Sequence, residues 1–199
     1  MFKLRINDYL YNSQTNSNLN RGDIMEKRLY FYIPAIEELT YRQKIMSQPD
    51  TMDYNKGYDV SFEGYHKDTG CIDFPKNKWT EWHSYMVNNK PKCFYAYITR
   101  KEDNTFIGEV NIHWNNDKKW YEMGIVLESK YRGMRYSLEA LKNLLRVAFD
   151  EYNAPAVHND FEIIREAAIA LHKAAGFNII NEANGIVELL ITREDYLNN

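Results

Sequence analysis

The amino-acid sequence predicts an α+β fold with one mixed, mostly antiparallel sheet of about six to seven strands and helices on both faces. Residues 93–127 contain three strand-like runs separated by short polar turns. A long helical pattern follows the third run, because Leu138, Leu141 and Leu145 are spaced by three and four. The chain then continues with a strand, a helix and a final pair of strands. Strands and helices in this order pack as a sheet covered by helices.

Composition limits the classes of protein to which the chain can belong. It has 199 residues, of which 44% are hydrophobic and 27% are charged, as in an ordinary globular domain. A formal net charge of −3 argues against a broad basic surface for nucleic acid. No apolar run approaches the length of a membrane span, and the polar N-terminus lacks the apolar core of a signal peptide. We therefore expect no nucleic-acid or membrane partner and a cytoplasmic location.

The cysteines and histidines give no metal-binding pattern. Cys71 and Cys93 are isolated from each other, and five histidines are scattered along the chain. Structural zinc sites need ligands at short, characteristic spacings, which are absent from this sequence. The sequence predicts reduced thiols and no metal.

The N-terminal residues differ in composition from the rest. Phe2–Ile6 has the character of a short strand, and a polar run rich in Asn and Ser follows it. We interpret residues 1–24 as an extension or linker and residues 25–199 as one domain. Met25 is a candidate for the biological start.

The first part of this domain mixes short elements with a long irregular segment. A strand is predicted at Leu29–Ile33 and a helix at Ile36–Met46. Residues 54–78 interleave aromatic and acidic side chains with little periodicity, which suggests either a lid that attracts a cation or a packed loop. A second helix is predicted at Thr80–Val87, with Thr80 as its N-cap.

The central strands are predicted at Cys93–Thr99, Thr105–Trp114 and Trp120–Leu127, with turns at 101–104 and 115–119. Alternation along the second strand places two sets of residues on opposite faces. One face carries Phe106, Gly108, Val110, Ile112 and Trp114, and the other carries Ile107, Glu109, Asn111 and His113.

The last part of the chain alternates helices and strands. Gly176 is expected to end a helix, and Asn184-Gly185 is a hairpin turn. The predicted elements are a helix that reaches Tyr152, a strand at Ala156–His158, a helix at Arg165–Ala175, and strands at Phe177–Ile180 and Ile186–Thr192.

A basic turn joins the strand that ends at Leu127 to the long helix. It reads Arg132-Gly133-Met134-Arg135-Tyr136-Ser137. A helix N-terminus offers unpaired N–H groups and a positive dipole end, which suits phosphate, although most strand-to-helix turns bind nothing.

With the strand, helix, strand and helix around it, this turn resembles that of the GNAT superfamily of acetyl-CoA-dependent N-acetyltransferases. The resemblance covers roughly residues 26–192 and is best over 106–177. The family's turn reads Arg/Gln-x-x-Gly-x-Gly/Ala, so Arg132 fits, whereas Arg135 and Ser137 stand where small residues are usual. Either the cofactor is held with arginine contacts added to the N–H groups, or the site has drifted and binds weakly.

The resemblance implies where acetyl-CoA, as cosubstrate, would lie. Its pantetheine arm would run along the backbone of Ile125, Val126 and Leu127. Its pyrophosphate would be held at the turn, by Arg132, Gly133, Met134, Arg135, Tyr136 and Ser137. Asn159 is expected either to contact the cofactor amide or to cap the helix that follows.

Three residues are candidates for proton transfer. Amine acetylation needs a neutral amine, a stabilised oxyanion and a protonated leaving thiolate. Glu122 is our first candidate for the base and Glu109 the second, since partial burial would raise the pKa of a carboxyl group. His172 stands where the family often has a tyrosine that acts as acid. The alternatives are partly solvated acids and a surface histidine with no catalytic role; we interpret His113 as a packed or rim histidine.

These observations predict an N-acetyltransferase that acts by direct attack of a primary amine. The acceptor would be a small molecule, such as an amine or polyamine, or a protein N-terminus. The alternative is a non-catalytic module of the same fold that binds CoA or another ligand as a sensor. A homodimer is an open alternative to a monomer.

Overall fold

A computed structural model describes residues 27–60 and 62–198 and contains one seven-stranded sheet. Its order across the sheet is β1-β2-β3-β4-β5-β7-β6. The strands are β1 (Leu29–Tyr32), β2 (Cys93–Arg100), β3 (Phe106–Asn115), β4 (Trp120–Leu127), β5 (Ala156–Glu162), β6 (Asn178–Ala183) and β7 (Ile186–Thr192). The predicted fold class, a mixed and mostly antiparallel sheet with helices on both faces, is confirmed. The predicted extension at 1–24, its strand at Phe2–Ile6 and the start at Met25 lie outside the described residues.

Six α-helices accompany the described part of the sheet. They are α1 (Thr40–Met46), α2 (Pro49–Met52), α3 (Trp79–Met86), α4 (Tyr136–Arg146), α5 (Glu166–Ala174) and α6 (Arg193–Asn198). Short 3-10 turns at Ile36–Leu39, Asp53–Asn55, Lys76–Lys78 and Ser129–Tyr131 join them to the chain, and α4 continues as a π-helical turn at Val147–Glu151. None of the described helices is both long and apolar enough to cross a bilayer.

Neighbouring strands of the described sheet are antiparallel except for one parallel pair, β4 and β5. Strands β1 to β4 form an antiparallel meander. Strand β5 runs parallel to β4 but pairs with it only at Tyr121–Val157 and Glu122–His158. On its other side β5 pairs with β7 along its whole length. Beyond Glu122, β4 and β5 therefore part, and the sheet has an opening between them.

The two faces of the sheet differ in chemistry. Facing residues of paired strands lie on the same side, so the register assigns every residue to a face. Helix α4 packs on the apolar face, which holds the main core together with α5. The opposite face carries polar residues from four strands, among them Tyr95, Glu109, Glu122 and His158.

Helices α1 to α3 cover the polar face over β2 to β4. Two small apolar clusters hold them there, one around Met46 and Met52 and one around Leu39 and Trp79. Val126 of β4 packs against the first cluster, which fixes this cover directly beside the opening. The two cysteines, one of them in the first cluster, are buried and form no disulfide.

Several predicted boundaries are wrong for local reasons. Thr80 is inside α3 rather than its N-cap, because a 3-10 turn precedes the helix. A β-bulge between Ile98 and Thr99 reverses the alternation at the start of β3. Phe106 therefore lies beside Tyr97 on the polar face, with ring centroids 4.9 Å apart, and Ile107 enters the main core instead.

Other elements are longer than predicted or were not predicted. Strand β5 extends through Asn159 and Asp160 to Glu162, and β6 extends to Ala183. Helix α6 follows β7 directly and was not predicted. The predicted turns at Asn184-Gly185 and Gly176 have the positive φ angles that such turns need.

Glu139, in the first turn of α4, attaches β1 to the domain. Its carboxylate accepts hydrogen bonds from the backbone N–H groups of Arg28 (2.7 Å) and Leu29 (2.9 Å) and from Arg28 Nε (3.1 Å). We expect Glu139→Ala to lower the free energy of unfolding by about 1 to 3 kcal/mol, because it leaves these donors unpaired. Urea denaturation measures the change. Glu166→Ala, an exposed acid in the first turn of α5, is the matched control, and an equal loss in both variants would contradict this role.

Candidate functional site

The opening between β4 and β5 is the main feature of the candidate site. Residues 123–127 of β4 have β3 on one side and no β5 partner on the other. Ile125 and Leu127 point into the main core, whereas Val126 points to the polar face. Only the backbone of these three residues therefore faces the gap. An extended ligand could use it as an adjoining strand would.

Helix α4 follows β4, and Glu139 in its first turn contacts Leu29, which lies at the same end of the sheet as Leu127. The N-terminus of α4 therefore lies at the end of the sheet towards which the opening runs. Arg135 precedes the helix as N-cap, and no side chain caps the helix there. The first N–H groups of an α-helix have no partner within the helix. Tyr136 is buried below the Arg28 guanidinium, 4.5 Å from its ring centroid, and fixes the helix start against β1. The arrangement leaves a positive helix end available to an anion.

The turn before α4 has two residues with positive φ. Gly133 has φ +79°, and Arg135 has φ +63° with ψ +12°, in the left-handed region. An L-residue with a Cβ is strained there, whereas glycine is not. Arg135 stands where the family usually has a small residue, and its backbone keeps the left-handed angles that glycine adopts without strain. Met134, between them, is about half exposed.

Arg132 is engaged within the protein. Its guanidinium donates to the backbone oxygens of Thr51 (2.6 Å) and Asp50 (3.2 Å) and to the Asp53 carboxylate (3.2 Å). Nearby, the buried Glu128 carboxylate accepts hydrogen bonds from Tyr41 Oη (2.9 Å) and from the Gln48 side chain. These contacts tie the turn to α1 and α2. Arg132 therefore shapes the turn and is not free to enclose a phosphate in this conformation.

Glu122 lies where β4 and β5 separate. Its carboxylate accepts hydrogen bonds from Trp120 Nε1 (2.6 Å), His158 Nδ1 (2.5 Å) and Asn115 Nδ2 (3.1 Å). Burial raises the pKa of this carboxyl group, but the hydrogen bonds from Trp120 and His158 outweigh it, and the pKa lies below its usual value. The expectation that partial burial would raise the pKa of Glu122 is therefore wrong.

Glu109 lies on the same polar face but is buried in an ion pair. Its carboxylate contacts the Arg42 guanidinium and accepts a hydrogen bond from Tyr95 Oη (2.5 Å). Arg42 also stacks over Trp82, with 4.4 Å from its guanidinium carbon to the ring centroid. Burial, with the Glu109 charge, raises the pKa of the nearby Tyr54 hydroxyl to about 12. A carboxylate paired in this way is poorly suited to accept a proton from a substrate.

His172 and Asn159 lie on the apolar side of the sheet and bind each other. The His172 Nδ1–H group donates to the Ala168 carbonyl oxygen (2.8 Å), and Nε2 accepts from Asn159 Nδ2 (2.9 Å). The imidazole packs between Phe161 and Phe177, and burial lowers the pKa of His172. A neutral ring with both nitrogens engaged argues against the predicted acid role. The Asn159 amide, predicted to contact the cofactor, is likewise engaged.

Two residues that the sequence-based reasoning did not select lie on the polar face at the opening. His158 pairs with Glu122 across the parallel strands. The Asn111 amide lies over Gly124, where a Cβ would come within 2.6 Å of its Nδ2 atom. Alternation along β3 places Asn111 on the same face as Glu109. For His158 no local signal exists, because its role depends on pairing with distant strands.

Tyr54 and Tyr58, near the start of the aromatic and acidic segment 54–78, lie at the opening. Tyr54 packs against the cluster that contacts Val126, and the Arg165 guanidinium carbon lies 5.2 Å from the Tyr54 ring centroid. Burial, together with a hydrogen bond between Tyr58 and Glu162, raises the pKa of Tyr58 to about 12. The segment thus contacts both sides of the opening. Its position fits the predicted lid, while its buried Cys71 and Phe74 also make it a packed part of the fold.

Comparison with known families identifies a match over most of the chain. The sequence model of the acetyltransferase (GNAT) domain matches residues 29–178. Comparison with curated protein sequences gives no match.

Solved structures show similar folds at low identity. A spermidine N-acetyltransferase from Vibrio cholerae, in complex with CoA and spermine, has a TM-score of 0.66 and 13% identity over 85% of this chain and 98% of its own. A GNAT acetyltransferase from Bacillus anthracis has a TM-score of 0.63 and 15% identity over 84% and 96%. FdhC, described as a nucleotide-linked sugar GNAT, has a TM-score of 0.64 and 16% identity over 87% and 91%. At such identities the likeness shows the fold alone.

The strained backbone of Arg135 gives a stability prediction. We expect Arg135→Gly to raise the free energy of unfolding by about 0.5 to 1 kcal/mol, because relief of the left-handed strain exceeds the entropy that glycine adds to the unfolded chain. Gly133→Ala should have the opposite sign, since its Cβ would meet no atom within 4 Å and only the φ angle opposes it. Urea denaturation of both variants measures these changes. A loss of stability in Arg135→Gly would contradict the strain.

Proposed function

The chain belongs to the GNAT acetyltransferase family, and on that premise we propose that it is an acetyl-CoA-dependent N-acetyltransferase acting on a primary amine. The observation that carries the proposal is the opening between β4 and β5, which leads from Glu122 to the uncapped N-terminus of α4. An unpaired strand edge and a positive helix end suit the two chemical parts of a long ligand, one with amides and one with phosphates.

The proposed cofactor contacts follow from that geometry. The pantetheine amides pair with the backbone of Ile125, Val126 and Leu127, which faces the gap. The pyrophosphate accepts hydrogen bonds from the N–H groups of Tyr136 and Ser137, at the start of α4. The Arg135 side chain is exposed beside them and adds a positive charge. Arg132 supports this arrangement by holding the turn in place.

The proposed acceptor site is the polar face at the narrow end of the opening. The Glu122 carboxylate lies on this face, and the start of segment 54–78, which interleaves aromatic and acidic side chains, covers part of it. Negative charge with aromatic rings attracts a cationic amine. A small amine, including a polyamine, and a protein N-terminus both fit this description. The neighbouring structures differ in substrate by their own descriptions, a polyamine for one and a nucleotide-linked sugar for another.

Acetyl transfer by direct attack needs one bond to form and one to break. The neutral amine nitrogen would bond to the acetyl carbonyl carbon as the C–S bond breaks, and the one proton that the nitrogen loses would balance the one that the leaving thiolate gains. Among the predicted residues, Glu122 is best placed to receive the proton of the amine, because it lies at the narrow end and is part-exposed. Glu109 is held by Arg42, and His172 is engaged on the other face. A cytoplasmic location and a homodimer stay predictions.

A second candidate function is a sensor that binds CoA without catalysis. Two observations favour it: Arg135 and Ser137 replace the small residues usual in the turn, and Arg132 is engaged by α2. The sensor would bind CoA or another ligand, and it would differ from the enzyme in showing no turnover.

Binding of acetyl-CoA is tested by the melting temperature. We expect acetyl-CoA to raise it, since a ligand that binds only the folded state stabilises that state. Ser137→Asp should keep the stability of the free protein, because a carboxylate suits a helix N-terminus, yet should abolish the shift by repelling the phosphates. Ser137→Asn, of equal size and neutral, is the matched control. Equal shifts in all three proteins would place the cofactor elsewhere.

Turnover is tested with a panel of primary amines and detection of released CoA thiol. We expect acetylation of at least one small amine or peptide N-terminus. Glu122→Gln should lower kcat by roughly 10²-fold, as loss of a general base does, and should affect acetyl-CoA binding far less. Glu102→Gln, an exposed acid in the β2–β3 turn, is the control. Cofactor binding with no thiol release across the panel would favour the sensor, and an unchanged kcat would remove Glu122 as base.

A further inference from the structure

A cluster of charged side chains lies on the polar face where β5 pairs with β7. Asp160 and Glu188 face each other directly in the register, and His158 lies two residues along β5 on the same face. Two carboxylates in directly opposed positions of a sheet repel each other. Among the described residues no lysine or arginine forms an ion pair with either of them. Of the residues that the structure describes, His158 is the one group in ion-pair range of Glu188.

The His158 ring is fixed by its neighbours. Its side chain is 6% exposed and stacks on the Trp120 indole, with ring centroids 4.6 Å apart. Its Nδ1 atom lies 2.5 Å from Glu122 Oε2. A carboxylate can only accept, so Nδ1 carries the proton. In the neutral ring, Nε2 then has a free lone pair.

This Nε2 atom is buried and has no hydrogen-bond partner. It points towards Glu188, whose Oε2 atom lies 3.7 Å away. That separation is too long for a hydrogen bond. It suits two ligands of one metal ion, because zinc–nitrogen and zinc–oxygen bonds place such atoms roughly 3.4 Å apart at the tetrahedral angle and further apart as the angle opens.

We propose that His158 Nε2 and the carboxylates of Glu188 and Asp160 bind a divalent transition-metal ion of the zinc type. One ligand atom each of Asp160, His158 and Glu122 lies within 4.8 Å of the other two, and Asp160 faces Glu188 directly across the strand pair. Glu122 holds Nδ1–H behind the ring, as carboxylates do for metal-binding histidines. The ion neutralises the opposed carboxylates and links β5 to β7 beside the opening.

This site has no signature in the sequence. Asp160 lies two residues after His158, and Glu188 lies about thirty residues further along the chain. Only the antiparallel register of β5 and β7 brings these three ligands together. The absence of a zinc-type spacing, from which we expected no metal, does not bear on a site assembled in this way.

The test is a Co²⁺ titration of the tag-free, EDTA-treated full-length protein, with Zn²⁺ as competitor. Visible absorption reports coordination of Co²⁺, and Trp120 fluorescence reports binding at His158, because the two rings are stacked. We expect one ion per chain, displaced by Zn²⁺. Asp160→Asn and Glu188→Gln should each weaken binding at least about tenfold. Glu182→Gln, an exposed acid on the neighbouring β6, is the matched control and should bind as the parent does.

Circular dichroism of each variant establishes that it is folded, and the readout needs neither acetyl-CoA nor an acceptor. Binding that is lost in Asp160→Asn and Glu188→Gln alone supports the site. The absence of saturable binding would overturn it. Binding of equal affinity in all variants would overturn it as well, because the ion would then lie elsewhere.

Discussion

The structure depends on the short parallel pairing of β4 with β5. Only Tyr121–Val157 and Glu122–His158 join the two strands, whereas β5 pairs with β7 along its full length. The sheet is therefore continuous at one end and open at the other. The main core lies on one face of this sheet, under α4, and keeps both halves in place. An opening of this kind can persist without a ligand because packing below the strands, rather than hydrogen bonds between them, holds them together.

The polar face at the opening is stable because its charges are paired in defined ways. Glu109 is neutralised by Arg42 and Tyr95, and Glu122 accepts three hydrogen bonds. Buried carboxylates without such partners would destabilise the fold. The same pairing limits the chemistry of each group. Glu109 is buried against an arginine, whereas Glu122 has no lysine or arginine partner among the described residues and lies part-exposed at the edge of the opening.

The sequence predicted what depends on local patterns and failed where distant residues decide. Alternation and helical spacing located the strands between residues 93 and 127 and the helix after them, since both periods are set by the chain itself. The bulge at Ile98 and Thr99 places the Phe106 side chain on the opposite face from the one predicted, and no local sequence pattern indicates a bulge there. The turn before α4 was found from its motif, whereas the surroundings of His172 and the pKa of Glu122 depend on Asn159, Trp120 and His158 after folding.

Arg135 bears on whether the turn still serves a ligand. Its left-handed backbone is disfavoured for arginine, and such strain persists only where the surrounding structure determines it. Here the surroundings are rigid on both sides: Arg132 binds α2, and Tyr136 is buried against β1. Relaxation to ordinary angles would break the contacts of Arg132 with α2 or move the buried Tyr136. The backbone path suited to glycine is instead kept with an arginine, and the side chain it adds is exposed beside the open helix end, where an anion would bind.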